Sequence, residues 1–565
     1  MRKKAYGWTA GLVAGTMLLA TGCSGSGDGE AAGGSAEASG SGGAAAKPIT
    51  ASVYSASVNG TFDDMKSRVG KQIADKTGVT LKFEFPVGGA TAQKIPLMIS
   101  SGEYPDMIMP EKDMGKLVDA GAMVDLRPLI DKYGPNIKKV YGEYMNRLVW
   151  SKDDGGIYFL PYAGVGGQQL EANGGFQIQH RVLKELNYPQ IKTVQDYENA
   201  LKAYIDKNPT TDGQPTIGMT LNAGEWQIKL STTNPAFYAT GGSDDGEFQI
   251  DDETYEATYH YLRPQEKEYF RWLNHMYSIG LLDKESFTQK YDQYKSKVST
   301  GRVLGIIDQL WDYQDAEQVL KSEGKFDRTY ARFPVTLDES VKQKELQSTG
   351  YLAGYGIGIT TSAKHPEQLI QMLDYMASDE GQVLRNWGVE GVDYKLEDGK
   401  RVIPQDVQQK KSNDAANYMK ESGIGNYAFA PMYGDGVLDP TGNPYTTNFE
   451  SQIIAAYSDE DRETLARYGA KRYIDLWPSS DQFPVKAWGA AWNIPKETGS
   501  DLDVLAKKAD GVMKKRIPEA IMAKPEQFDK VWDSFMKDLQ DLNIDKVNKL
   551  TTDLVKARAE LWKEK

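Results

Sequence analysis

Apolar positions along this chain switch repeatedly between a spacing of two and a spacing of three to four, the periods of strand and helix. Residues 49–58, rich in alternating Val and Ser, predict a strand, and 61–77 a polar-faced helix closed by Gly78. Residues 79–85 alternate Val, Leu and Phe with polar side chains, the signature of a second strand. Helical spacing follows over 90–101; Pro105 breaks it, and 106–109 reads as a short apolar strand. Residues 114–121 predict a helix ended by glycine, and 126–131 begin another. Strands alternating with helices in this order predict an α/β lobe on a mostly parallel sheet.

The body from Lys47 to Lys565 exceeds the roughly 250–300 residues at which single cores stop growing, so two or more cores are expected. Ahead of it the pattern differs. Arg2, Lys3 and Lys4 precede an apolar stretch over 5–20, and Ala20-Thr21-Gly22 lead to Cys23, the three parts of an export signal. The apolar run is shorter than the roughly 20 residues that cross a bilayer. Cys23 is the only cysteine among 565 residues, so it forms no internal disulfide and no cysteine metal cluster. The expectation is a lipoprotein signal peptide over 1–22 with lipidation at Cys23; an ordinary signal that happens to hold a cysteine is the competing reading. Residues 23–46 are nearly all Gly, Ser and Ala, the composition of a flexible tether. No later segment is apolar enough to predict a transmembrane helix.

Charge narrows the partners. With 79 acidic and 66 basic side chains the net charge is −13, which argues against nucleic acid. His180, His260, His275 and His365 are scattered singly and show no zinc spacing. There is no phosphate-binding Gly-x-x-x-x-Gly-Lys-Ser/Thr loop and no Gly-x-Ser-x-Gly elbow. No local motif singles out the facing carboxyl pair of a glycosidase. Catalytic residues, metal ligands and cofactors are therefore not expected, and a polysaccharide-degrading enzyme is only a lesser alternative.

The aromatic content points elsewhere. The chain holds 11 Trp and 32 Tyr, rings that stack on the C–H face of a sugar while polar neighbours bond its hydroxyls. Trp226, Trp311 and Trp387 sit in polar, loop-like contexts and are candidate ligand contacts, with packing between helices as the competing use. Trp311 follows the apolar strand 303–307, at the kind of strand end where open α/β sheets bind ligands. Trp488 and Trp492, four apart, would share a helix face, as a core stripe or a stacking platform. Trp272, Trp532 and Trp562 lie in amphipathic patterns and are assigned to the core.

Seven segments, in order, resemble family 1 extracellular solute-binding proteins, the substrate-capturing parts of ABC importers. They are SGEYPDMIMP (101–110), DLRPLIDKYGPNI (125–137), DGGIYFLPYAG (154–164), RVLKELNYPQIKTVQDYENALKAY (181–204), GRVLGIIDQLWD (301–312), GYGIGITTSAKHPEQLIQMLDYMAS (354–378) and NWGVEGVDYKLEDGK (386–400). The pattern is similar to the long lipoprotein subgroup of Gram-positive bacteria, often called LipO-like. The resemblance implies a two-lobed, periplasmic-binding-protein-like (type II) α/β fold with hinge crossings and a ligand cleft. It implies lobe 1 over 47–164 and 354–430, and lobe 2 over 165–353 and 431–565.

The same resemblance implies an oligosaccharide ligand, ABC permease subunits as partners, a monomer, and a lipid anchor on the outer face of the cell membrane. A peptide or another small solute is the alternative ligand. It places Tyr162 and Tyr355 at crossings between lobes, Asp106 in a first-lobe turn, and Trp387 beside a Glu-Gly-x-x-Tyr turn. Tyr162, Tyr355 and Asp106 are thereby candidate ligand contacts too, with turn packing, or capping for Asp106, as the competing use. Some members carry a calcium loop where 206–214 stand here. This chain keeps Asp206, Asn208 and Asp212 but lacks the downstream acidic pair, so no calcium is expected there.

Overall fold

The computed structural model describes residues 47–57, 62, 64–86 and 91–563; the expected signal peptide over 1–22, Cys23 and the expected tether over 23–46 lie outside the described residues. Strand Ile49–Ser55 pairs in parallel with Val79–Glu84 on one side and Met107–Met109 on the other. Helix Arg68–Thr77 makes the first crossover. Ser67 caps it by accepting from the Gly70 N–H, and Gly78 ends it at φ +68. The turn expected ahead of it, from residue 61, is not helical: Asp64 and Met65 hold φ of 54 and 65. Strand Gly356–Ile359, from far along the chain, then enters antiparallel between Met107–Met109 and Leu160–Pro161.

A second sheet runs in the order Tyr330–Phe333, Phe176–Gln179, Val303–Ile307 and Ile217–Thr220. Only the last pair is parallel. All residues of strands Phe176–Gln179, Val303–Ile307 and Tyr330–Phe333 are buried, as a sheet covered on both faces requires. Each sheet has its own apolar core, one around Val53, Leu81, Ile357 and Leu373, the other around Ile178, Leu201, Leu304 and Trp532. The chain changes core between Val165 and Leu170, between Leu346 and Tyr351, and between Tyr433 and Ile453. Trp272, Trp532 and Trp562 are buried, as their amphipathic patterns predict.

One boundary differs from the sequence expectation. Residues 431–449, expected in the second lobe, pack on the first. Tyr433 donates its N–H to Gln382 at 2.7 Å, Tyr445 its hydroxyl to Asp379 at 2.6 Å, and Arg401 pairs with Asp439. The physical cause is Arg385, 1% exposed, whose guanidinium donates to the carbonyls of Tyr427, Ala430 and Pro431. Buried donors need such acceptors, and this one holds the returning segment down. Beside the crossings the backbone passes very close. A Cβ at Gly164 would lie 2.4 Å from the Gly434 Cα, and one at Gly356 2.5 Å from the Leu160 carbonyl oxygen.

The second core holds an unusual ionised cluster. His260, fully buried, has Nδ1 3.2 Å from Glu266 and Nε2 3.7 Å from Glu247, contacts that pair charges without aligned hydrogen bonds. Arg263 also reaches Glu266, and Lys229 reaches Glu247 at 3.0 Å. Burial works to lower the imidazole pKa, but Glu266 and Glu247 outweigh it and raise it to about 9. An unfolded histidine titrates near 6.5, so this stabilisation is complete below about pH 6.5 and is lost as pH rises through 9. We predict that unfolding free energy falls by on the order of 3 kcal/mol between pH 6.5 and pH 9. His260→Gln flattens that slope; urea titrations at both pH values check it, and an unchanged slope in the variant refutes it.

Candidate functional site

The candidate residues stand in loops that follow parallel strands of each sheet. At the end of Val303–Ile307, Asp308 is 1% exposed. Its N–H donates to the Gln177 side-chain oxygen at 3.0 Å while the Gln177 amide donates to the Asp308 carbonyl at 2.8 Å. The carboxylate accepts from Tyr294 and from the Gln309 N–H, both at 2.8 Å. Burial first, and then the neighbouring Asp312 carboxylate, push the Asp308 pKa well up. These bonds fix the start of helix Leu310–Ser322, and Trp311 projects from its first turn, 51% exposed.

The neighbouring loop follows strand Ile217–Thr220. Asn222 donates to Asp312 at 2.9 Å, and Glu225 accepts from the Tyr291 N–H at 3.1 Å. Gly224 lets this loop pass the Gln289 carbonyl oxygen, which a Cβ would meet at 2.1 Å. Trp226 follows, 52% exposed. The two indoles lie parallel, centroids 6.3 Å apart and planes inclined by 11°. Two tryptophans 85 positions apart thus form one exposed aromatic wall.

From Trp311 the wall continues inward. Gln309, Tyr238 and Glu345 line a small recess that is partly open to solvent. Glu345 accepts from the Trp477 indole at 2.9 Å and from Gln343 at 2.8 Å. Beyond it, Asp245 and Lys486, both nearly inaccessible, form an ion pair at 2.9 Å. Asp245 also accepts from the Trp488 indole and the Ala491 N–H, each at 2.9 Å. That anchor sets Trp492, 38% exposed, with its ring 6.1 Å from Tyr355 of the other lobe.

On the first lobe, the Tyr162 N–H donates to the Tyr355 carbonyl at 3.4 Å. Burial, then Glu111, then Tyr355 raise the Tyr162 hydroxyl to about 12. Glu111 follows strand Met107–Met109 and Pro110, and it is bonded by the Ser57 hydroxyl from the neighbouring strand end. Tyr162 and Glu111 therefore stand near Tyr355, the ring that meets Trp492.

Two expected contacts lie elsewhere. Trp387 is 2% exposed; its indole donates to Pro444 at 3.0 Å and packs against Tyr394 and Phe449. The turn after it folds back because Asp393 accepts from the Val389 N–H at 2.9 Å and from Tyr418 at 3.0 Å. Asp106 stands at the beginning of its strand, not the end that meets the groove, and its carboxylate is held by the Ser52 N–H and hydroxyl, both at 2.8 Å. No α-helix covers Trp488 and Trp492: Trp488 is buried and Trp492 belongs to a short 3₁₀ turn, so they share no helix face. Glu111, Tyr238 and Glu345 were not anticipated, and Trp492 only as part of a helical stacking platform; the strand-end position of Glu111 is the one signal that marked any of the three.

Among the described residues no three His, Cys, Asp or Glu side chains stand close enough to hold a metal ion. In 206–214, Asp206 pairs with Lys202 at 2.8 Å and Asp212 with Arg328. No helix of the described residues is long and apolar enough to cross a membrane.

The family described as bacterial extracellular solute-binding protein matches residues 59–383, more than half of the chain. The chain is 26% identical over 322 residues to the fructooligosaccharide ABC transporter substrate-binding protein FusA of Streptococcus pneumoniae, covering 54% of this chain. It is 23% identical over 346 residues to lipoprotein LipO of Bacillus subtilis, covering 58% of this chain. The matched stretches span 56% and 64% of those relatives' own lengths. Among solved structures, a solute-binding protein of Bifidobacterium longum infantis that binds human milk oligosaccharides superposes with a TM-score of 0.68 at 17% identity. That superposition covers 91% of this chain and 99% of the other, and it establishes the two-lobed α/β fold.

We predict that Asp308→Asn, which keeps the shape without adding charge, costs less than about 1 kcal/mol. Asp308→Ala strands Tyr294 and the Gln309 N–H and costs about 2–3 kcal/mol. Thermal melts at neutral pH compare them; equal losses contradict a carboxyl group that holds this turn through its hydrogen bonds.

Proposed function

The chain belongs to the bacterial extracellular solute-binding proteins, and we propose on that premise that it captures an oligosaccharide for an ABC importer. The observation that supports this reading is the exposed, parallel Trp226–Trp311 pair, with a second aromatic contact between Trp492 and Tyr355 across the lobes. Flat apolar rings interleaved with Gln309, Glu345 and Glu111 suit sugar units, whose ring faces stack while their hydroxyls need acceptors and donors. Relatives whose names specify fructooligosaccharide or milk oligosaccharides agree with this class of ligand.

The protein acts by binding and release, not by turnover. Ligand contacts to both lobes favour the closed arrangement, and closure follows only to the extent that the ligand binds it better. The closed form then docks on permease subunits as a monomer. Lipidation at Cys23 and the tether over 23–46 hold the body at the outer face of the cell membrane.

Two experiments test the reading. Trp226→Ala and Trp311→Ala each weaken binding of the preferred oligosaccharide by about 1–3 kcal/mol, the range for losing one stacked ring. Trp387→Ala instead lowers stability by about 3–5 kcal/mol and leaves affinity intact. Calorimetry and thermal melts on a short-glycan library separate these outcomes; stabilisation by peptides alone, or turnover of a glycan, overturns the assignment. For the anchor, Cys23→Ala moves the protein from the membrane fraction to the medium, and unchanged membrane retention refutes lipidation there.

A further inference from the structure

A second recess, open to solvent, lies where the chain passes between lobes. Arg147, Pro161, Gly354, Asn493 and Arg558 line it, and it shares no lining residue with the recess beside Trp311. Its charge is unusual. Arg558, on the last helix Ile544–Lys563, is 8% exposed, and no described residue forms an ion pair or hydrogen bond with its guanidinium. The guanidinium packs over the Trp562 ring, 5.0 Å from its carbon to the centroid. Burial pulls its pKa down to about 10, and no carboxylate acts to raise it.

Arg147 stands against the same indole at 4.5 Å. It donates to the carbonyls of Tyr351 at 2.7 Å and Thr349 at 3.4 Å. Burial lowers its pKa too, with the Tyr144 ring and the exposed Glu143 acting weakly against it. Asn493 donates to the Ala353 carbonyl at 3.0 Å, which leaves its side-chain oxygen buried with no donor. Two guanidiniums on one ring, facing a recess with no carboxylate, make a site of uncompensated positive charge. Buried charge is costly until paired, and the planar guanidinium fork matches carboxylate and phosphate oxygens.

We propose that Arg558 and Arg147 bind an oxoanion, a carboxylate or phosphate group, in this recess, with the Asn493 side-chain oxygen accepting from a hydroxyl of the same ligand. The group arrives either as a free anion or on an acidic sugar unit. Because Arg558 packs on Trp562 but forms no ion pair or hydrogen bond with a described residue, replacing its guanidinium by the shorter amide of Gln removes a binding charge while breaking no polar contact of the fold.

Calorimetry on the full chain at constant ionic strength, with inorganic phosphate and with glucuronate as separate titrants, tests this. Saturable binding of at least one titrant is expected, weakened tenfold or more by Arg558→Gln and by Arg147→Gln. Binding of both titrants assigns the site to free oxoanions, and binding of glucuronate alone assigns it to acidic sugar units. In anion-free buffer Arg558→Gln keeps or raises the thermal midpoint. No saturable heat from either titrant overturns the proposal, as does undiminished binding in both variants. A large loss of midpoint in anion-free Arg558→Gln also overturns it, since the guanidinium would then already have a partner. No arm uses an oligosaccharide, so the outcome is independent of the groove reading.

Discussion

Buried carboxyl groups at the ends of strands and loops are the constraint on which the groove depends. Asp308 and Asp245 each tie down a turn of the second lobe through several hydrogen bonds; exposed Trp311 stands in the turn that Asp308 starts, and exposed Trp492 follows Ala491, whose N–H donates to Asp245. A loop left to itself samples many conformations, and a large ring on it would fold inward to escape water. Saturating a buried carboxyl with donors from three directions removes that freedom. The ring is then held outward at a fixed angle, as a preorganised site requires.

The same logic divides stable from movable parts. Each lobe has a sheet and a core of its own, so rotation of one against the other leaves both cores intact. The crossings are narrow where Gly164, Gly356 and Gly434 bring backbones into contact. The Trp492–Tyr355 contact reaches across the lobes, beside the recess flanked by Arg147 and Arg558. Ligand chemistry and hinge chemistry are therefore neighbours in this fold.

The candidate site was only partly legible beforehand, and the particular misses explain why. Trp226, Trp311 and Trp387 have equally polar sequence contexts. Two stand in the groove because their loops are anchored from behind; the third is enclosed because Asp393 folds the next turn over it. Asp106 has a motif neighbourhood but stands at the wrong end of its strand, a difference that pairing register decides. Trp492 was paired with Trp488 on helical spacing, and the segment forms no helix because Asp245 and Lys486 hold its backbone in turns.

By itself the sequence determined the alternation of strands and helices, the presence of more than one core, and the aromatic supply, because periodicity and composition are local properties. Tertiary structure alone decided which rings meet water and which segment returns to which lobe. It decided, too, that Arg558 lacks a counter-charge. The reason is physical: exposure and pairing are set by groups that approach from distant parts of the chain, and no local pattern records that approach.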